Sequence, residues 1–226
     1  MKKFIVIILI LLSIFVGMYI YRKNKIEENR RHTISATEVN QIETYIQKIY
    51  MWREVTEQAL PTFDDINDAP DLWVWEVVKK NIEDYELSYD QIENMAQQIF
   101  GENFKKEFPK EGYKYMQYDE TSDKYIPVGT GLDNKEDVFL LNNIEKNDDE
   151  YTVQIIEYLE EYGGEDSSNN VKIENLKDEV IENIASTEET NIQKIVKENI
   201  DKFTKKEIKI KKNNETSFNV ISVKDV

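Results

Sequence analysis

From Phe4 to Tyr21 the chain carries no charge, and its side chains are almost all Ile, Leu, Val, Phe, Met or Tyr. As a helix this run is roughly 27 Å long, about the thickness of a bilayer's hydrocarbon core. No other stretch of the chain is both as long and as apolar, so the sequence reads as one membrane span followed by one water-soluble domain. Lys2 and Lys3 give the basic start of a secretory signal, but the apolar core exceeds the usual ~7–15 residues of such a signal. The exit, Gly17-Met18-Tyr19-Ile20-Tyr21-Arg22, has no small-residue cleavage pattern. Tyr19 and Tyr21 suit an interfacial aromatic belt. The segment is therefore expected to be retained as an anchor.

Orientation divides two rules. Arg22, Lys23, Lys25, Arg30 and Arg31 follow the span against Lys2 and Lys3 before it, and the positive-inside rule counts that as a cytoplasmic domain. A short basic tail ahead of an apolar core is instead how exported chains begin. Together with the absence of Cys, this second rule places the domain outside the cytoplasm, and that is the expectation. The division is residues 1–25 as transmembrane anchor with basic flanks, 26–36 as connector and 37–226 as a soluble acidic domain.

Removing the seven basic and two acidic residues of the first 32 from totals of 29 and 45 leaves 22 against 43 in residues 33–226, a net charge near −21. Such a domain is repelled by nucleic-acid phosphate and anionic lipid heads, so no nucleic-acid partner is expected. Arg53 is the only Arg beyond the connector, whereas Lys, Asn and Ile abound. That bias matches AT-rich coding and a bacterial source.

Beyond the connector, Ser35-Ala36-Thr37-Glu38 is a capping box. Val39, Ile42, Tyr45, Ile46, Ile49 and Trp52 follow at helical spacing, predicting a helix to about Leu60, where Pro61 stops it. Asp68 and Pro70 open a second helix whose buried stripe is Leu72, Trp75, Val78, Ile82 and Tyr85. Ser88-Tyr89-Asp90-Gln91 opens a third, with Ile92, Met95, Ile99 and Phe100 inward and Gly101 at its end. The period then falls to two. Strands are predicted from Tyr113 to Tyr118, over Tyr125 to Val128 with Pro127 marking an edge, and over Val138–Ile144 and Tyr151–Leu159. Glu160 to Asn170 reads as a loop and Val171 to Leu176 as a short strand. Thr190-Asn191-Ile192-Gln193 caps a last helix, and Glu207–Lys212 with Ser217–Val223 closes the chain as a hairpin. Helices, then hairpins, then a helix and a hairpin give an α+β fold on an antiparallel sheet. The layout is similar, by analogy, to the NTF2-like or cystatin-like arrangement of helices across a curved sheet.

Few residues carry chemistry. His32, the only His, sits in the connector rather than in a rigid site, where a catalytic triad would need it. Without Cys, a zinc site would have to rest on carboxylates, against the usual ligand sets. The clusters Asp64-Asp65-Asn67-Asp68 and Glu165-Asp166-Asn169-Asn170 both miss the EF-hand pattern and read as Asx-rich turns. Gly129-Thr130-Gly131 lacks the Lys-Ser/Thr of a phosphate loop. No catalytic residue, metal or cofactor is assigned. Trp52 and Trp75 fall on core faces, whereas Trp73 points differently and is the candidate partner contact. Lys205, Lys206, Lys209, Lys211 and Lys212 form a basic strip in which Lys209 and Lys211 share a face opposite Ile208 and Ile210; these two are the other candidate contacts. The expected function is a non-enzymatic module that binds a protein or envelope component. The alternative is an envelope enzyme with an Asp/Glu acid–base pair in a pocket between helices and sheet.

Overall fold

The computed structural model describes residues 33–82, 84, 86–128, 135–162, 170–184 and 189–226. The expected span, its basic flanks, His32, Tyr85 and Gly129-Thr130-Gly131 lie outside the described residues. So does most of the second acidic cluster. No described helix is long and apolar enough to cross a membrane.

Helix α1 (Ala36–Ile49) starts as its sequence dictates. The Ser35 hydroxyl accepts from the Glu38 N–H at 3.2 Å, and the Glu38 carboxylate accepts from the Ser35 N–H at 3.0 Å. The helix stops eleven residues short of the expected Leu60, because tertiary partners take its last carbonyls. Lys80 Nζ donates to the carbonyls of Gln47 and Tyr50 at 2.9 and 2.8 Å, and Asn81 Nδ2 donates to that of Lys48 at 2.9 Å. The chain then extends through Tyr50 and forms one short turn of helix, α2 (Arg53–Thr56). Trp52, expected in the core stripe, is thereby turned outward and is 44% exposed.

Helix α3 (Asp71–Lys80) begins directly after Pro70, whose fixed φ suits a helix entrance. Asp68, expected as the cap, lies instead in a 3-10 turn over Ile66–Asp68 that Asp65 caps. Helix α4 (Tyr89–Phe100) has the expected Ser88–Gln91 capping box and ends at Gly101, where φ is 88°. A small antiparallel sheet follows: β1 (Gly112–Tyr113), β2 (Met116–Asp119) and β3 (Lys124–Pro127). The single strand expected from Tyr113 to Tyr118 is split by a turn at Lys114–Tyr115. Pro127 lies on an edge strand, since β3 ends the order β1-β2-β3.

The main sheet is built on a long hairpin, β4 (Lys135–Asn147) and β5 (Glu150–Tyr162), reversed at Asp148, which adopts φ 57°. β4 pairs with the whole of β5 along one edge. The other edge of β5 is shared. Its first half pairs with β8 (Thr204–Lys212), which in turn pairs with β9 (Phe218–Asp225). Its last residues pair with β6 (Val171–Glu174), which pairs with β7 (Val180–Ile184). Helix α5 (Glu189–Glu198) links the two hairpins; Thr190, expected as its cap, is already inside it. The fold is therefore α+β, with helices packed on antiparallel sheets.

The period of two in β5 divides the core. Tyr151, Val153 and Ile155 face α1, α3 and α4 and join Ile42, Ile46 and Ile49 in the larger cluster. Ile156 and Tyr158 point to the other side and meet Ile192 and Val196 of α5, with Val171 and Ile173 of β6. Each fully buried aliphatic side chain contributes about 1.5–3 kcal/mol. The two clusters on opposite faces of one strand hold both halves of the sheet to it.

Candidate functional site

Trp73 is not available to a partner. It is 0% exposed, its indole N–H donates to the Ala59 carbonyl at 3.2 Å, and its ring packs against Phe63 and Phe100. The expectation failed because α3 is buried nearly all round, from Trp73 to Val78, so adjacent positions both meet core. Lys209 and Lys211 are exposed on the opposite face of β8 from Ile208 and Ile210. The expected basic strip is broken up, however. Lys206 is buried and pairs with Asp225 at 2.6 Å, Lys211 lies 3.4 Å from Asp149, and Lys212 lies 3.7 Å from Glu38 on the helix side.

On that helix side, at the end of the sheet nearest α2, four strands place ionisable side chains in a row. The register puts Asp137 of β4, Glu157 of β5, Lys206 of β8 and Asp225 of β9 on one face. Arg53 closes over Asp137 and Tyr50 over Glu157, while Asp225 stays exposed. The Arg53 N–H donates to Asp137 at 2.9 Å, and its guanidinium lies 3.4 Å from the same carboxylate. The guanidinium also reaches the Leu176 carbonyl and Asp178, both at 2.8 Å. The Tyr50 hydroxyl donates to the Val138 carbonyl at 3.2 Å. Glu157 is 1% exposed, and one of its carboxylate oxygens has no hydrogen-bond partner. Burial raises its pKa to about 7, against the opposing pull of Lys206 and the Tyr50 hydroxyl. Burial likewise raises Asp137 above the ordinary carboxylate range, with Arg53 only partly offsetting it. Raised carboxyls are what an acid–base pair needs, yet these are buried, with Tyr50 against Glu157 and Arg53 against Asp137.

A second node surrounds Glu38. Its carboxylate accepts from Lys146 at 2.8 Å and from the Tyr151 hydroxyl at 2.7 Å, besides the Ser35 N–H. Burial pulls its pKa up, but these bonds outweigh that and bring it down to about 2. The node thus pins the start of α1 to the β4–β5 hairpin. The acidic loop Asp64–Asp68 is also structurally committed: Asp65 accepts from the Asn67 N–H at 2.8 Å, and Asn67 accepts from the Lys105 N–H at 2.7 Å. Among the described residues no cluster of His, Asp or Glu is arranged to hold a metal ion.

A groove of about 1380 Å³ opens between α1, the end of α4 and the β8–β9 hairpin. Its floor is set by Tyr45, whose hydroxyl donates to the Ile99 carbonyl at 3.0 Å and accepts from the Val220 N–H at 2.7 Å. That bridge fastens helix α4 to edge strand β9 beneath the groove. Gly101 makes the close approach possible: a Cβ there would lie 1.6 Å from Asn219 Nδ2. The walls carry nine Asn or Gln side chains, and their charges balance, with three Lys against three Asp or Glu. Lys211 is on this wall; Lys209 is not. No local pattern signals the groove, because its residues come from segments that lie far apart in the chain, from Thr37 to Ile221. Comparison with protein-family models, curated proteins and solved structures returns no match, so function rests on this geometry.

Proposed function

We propose that the chain is a single-pass membrane protein whose acidic domain stands outside the cytoplasm and binds a protein or envelope component without catalysing a reaction. The uncharged run from Phe4 to Tyr21 supports the anchor. The observation that carries the binding role is the groove: it is open, charge-balanced and rich in hydrogen-bonding amides. The layout of helices across a sheet stays analogous to NTF2-like and cystatin-like domains, in arrangement alone.

The second reading, an envelope enzyme, draws on Asp137 and Glu157, the two raised carboxyls on one sheet face. It requires Tyr50 and Arg53 to lift away before a substrate could reach them.

Topology and retention are tested together. Glu215→Cys, in the exposed β8–β9 turn of a Cys-free chain, is expected to react with an impermeant thiol reagent on intact cells. The mature protein is expected to begin at or near Met1. Labelling only after lysis would put the domain in the cytoplasm, and an N-terminus beyond Tyr21 would make the protein secreted rather than anchored.

A further inference from the structure

The groove is larger than the ~300–1,000 Å³ of a small-molecule site, which favours a segment of chain polymer over a metabolite. Its three Lys and three acidic residues balance one another in an otherwise acidic domain. A charged ligand would thus find nothing to select it.

What the groove does offer is amide. Asn40 and Gln41 on α1, Gln98 and Asn103 at the end of α4, and Asn213 in the hairpin turn have side-chain amides with no hydrogen-bond partner among the described residues. Asn219, also on the lining, has a buried carbonyl oxygen with no partner. Three other amides of the lining are already committed: Asn81 to the carbonyls of Lys48 and Val77, Gln97 to that of Phe104, and Asn214 to the N–H groups of Thr216 and Ser217. Each Asn or Gln presents both a donor and an acceptor, as does each peptide unit of an extended chain. A sugar polymer would also form such bonds, but it would want an aromatic face. The aromatic rings of the lining, Tyr45, Phe100 and Phe218, are each at most 6% exposed.

Resting on the binding-module reading, we infer that the groove takes an extended, uncharged peptide segment of a partner protein, held by main-chain hydrogen bonds to the amides of α1, α4 and the β8–β9 hairpin. Side-chain selection is weak and disfavours charge, which would lose hydration with no net attraction in return, rather than choosing a sequence.

The test uses the full chain in detergent micelles and a phage-displayed library of random peptides about twelve residues long, an extended reach of ~40 Å. Expected is enrichment of peptides whose central residues lack Lys, Arg, Asp and Glu, with shifts of the groove's side-chain amide resonances when a selected peptide is titrated. Gln41→Ala with Gln98→Ala removes two amides without hydrogen-bond partners among the described residues and is expected to weaken binding about tenfold at an unchanged melting temperature. Lys209→Ala, away from the groove, is expected to bind like the parent. Enrichment of a charged motif, no enrichment, or equal binding by the double variant would overturn the peptide assignment. Displacement of the peptide by N-acetylglucosamine oligomers would replace it with a glycan ligand and leave the binding-module reading standing. If solubilised envelope components also fail to shift the groove amides, the binding-module reading falls as well.

Discussion

Glu157 gives the sharpest prediction about how this fold is held together. Its carboxyl is 1% exposed beneath Tyr50, and burial raises its pKa from 4.5 to about 7. A group bound more tightly to its proton in the folded state stabilises the fold where that proton is present. The advantage is complete below pH 4.5, declines as the pH rises, and is gone above about 7, where the folded protein must bury a charge. The rise corresponds to about 3 kcal/mol at most between the two limits, because Lys206 and entering water soften the cost. Replacing Glu157 by Gln keeps the shape and removes the titration. The assay is urea unfolding followed by Trp fluorescence at pH 5 and pH 8, in parent and Glu157→Gln. The parent is expected to lose about 2–3 kcal/mol relative to the variant on going from pH 5 to pH 8. Taking the difference cancels the lowered carboxylates Glu38, Asp65 and Asp178, which act in the opposite direction at lower pH, and cancels in part Asp137, whose raised pKa acts in the same direction and which interacts with Glu157. A difference that does not change with pH, or that favours the parent at pH 8, would refute the sealed-carboxyl account.

Three further outcomes follow from the packing. Ile46→Ala truncates a side chain that is 0% exposed between α1 and the sheet; it is expected to cost ~2–5 kcal/mol and to lower the melting temperature markedly, and a shift of only a degree or two would mean α1 is a spacer. Arg53→Met leaves the Asp137 carboxylate buried without its guanidinium and is expected to cost ~3 kcal/mol in denaturant unfolding, with Asp137→Asn in the same chain recovering part of the loss. Gly112→Ala places a Cβ 2.1 Å from the Met116 carbonyl oxygen at φ 84°, so a loss above ~1 kcal/mol is expected; a neutral result would mean the β1–β2 turn is not formed as described.

How much was legible divides along physical lines. Two capping boxes, Ser35 with Glu38 and Ser88 with Gln91, are short-range hydrogen-bond patterns, and both form where the residues predict. The β4–β5 and β8–β9 hairpins follow from alternation and polar turns, although both strands of the first run longer than their apolar centres. β7 escaped notice because it is an edge strand with Val180 55% exposed and little apolar contrast. The end of α1 and the direction of Trp52 and Trp73 were not legible, because Lys80 and Asn81 decide the first and all-round burial of α3 decides the last.

By itself, then, the sequence determined the local elements: which stretches cap, alternate or break, and that an uncharged run precedes an acidic α+β domain. Capping, periodicity and chain stiffness act over a few residues, so the residues that cause them are adjacent. Tertiary structure alone decided the sharing of β5 by two hairpins, the sealing of Glu157 and Asp137, and the amide-lined groove. Each of these depends on residues outside one local stretch: β5 with β8 about fifty positions on, and Tyr45 with Val220 or Arg53 with Asp178 more than a hundred apart. Their energies come from burial and desolvation, which exist only once the core has closed around them.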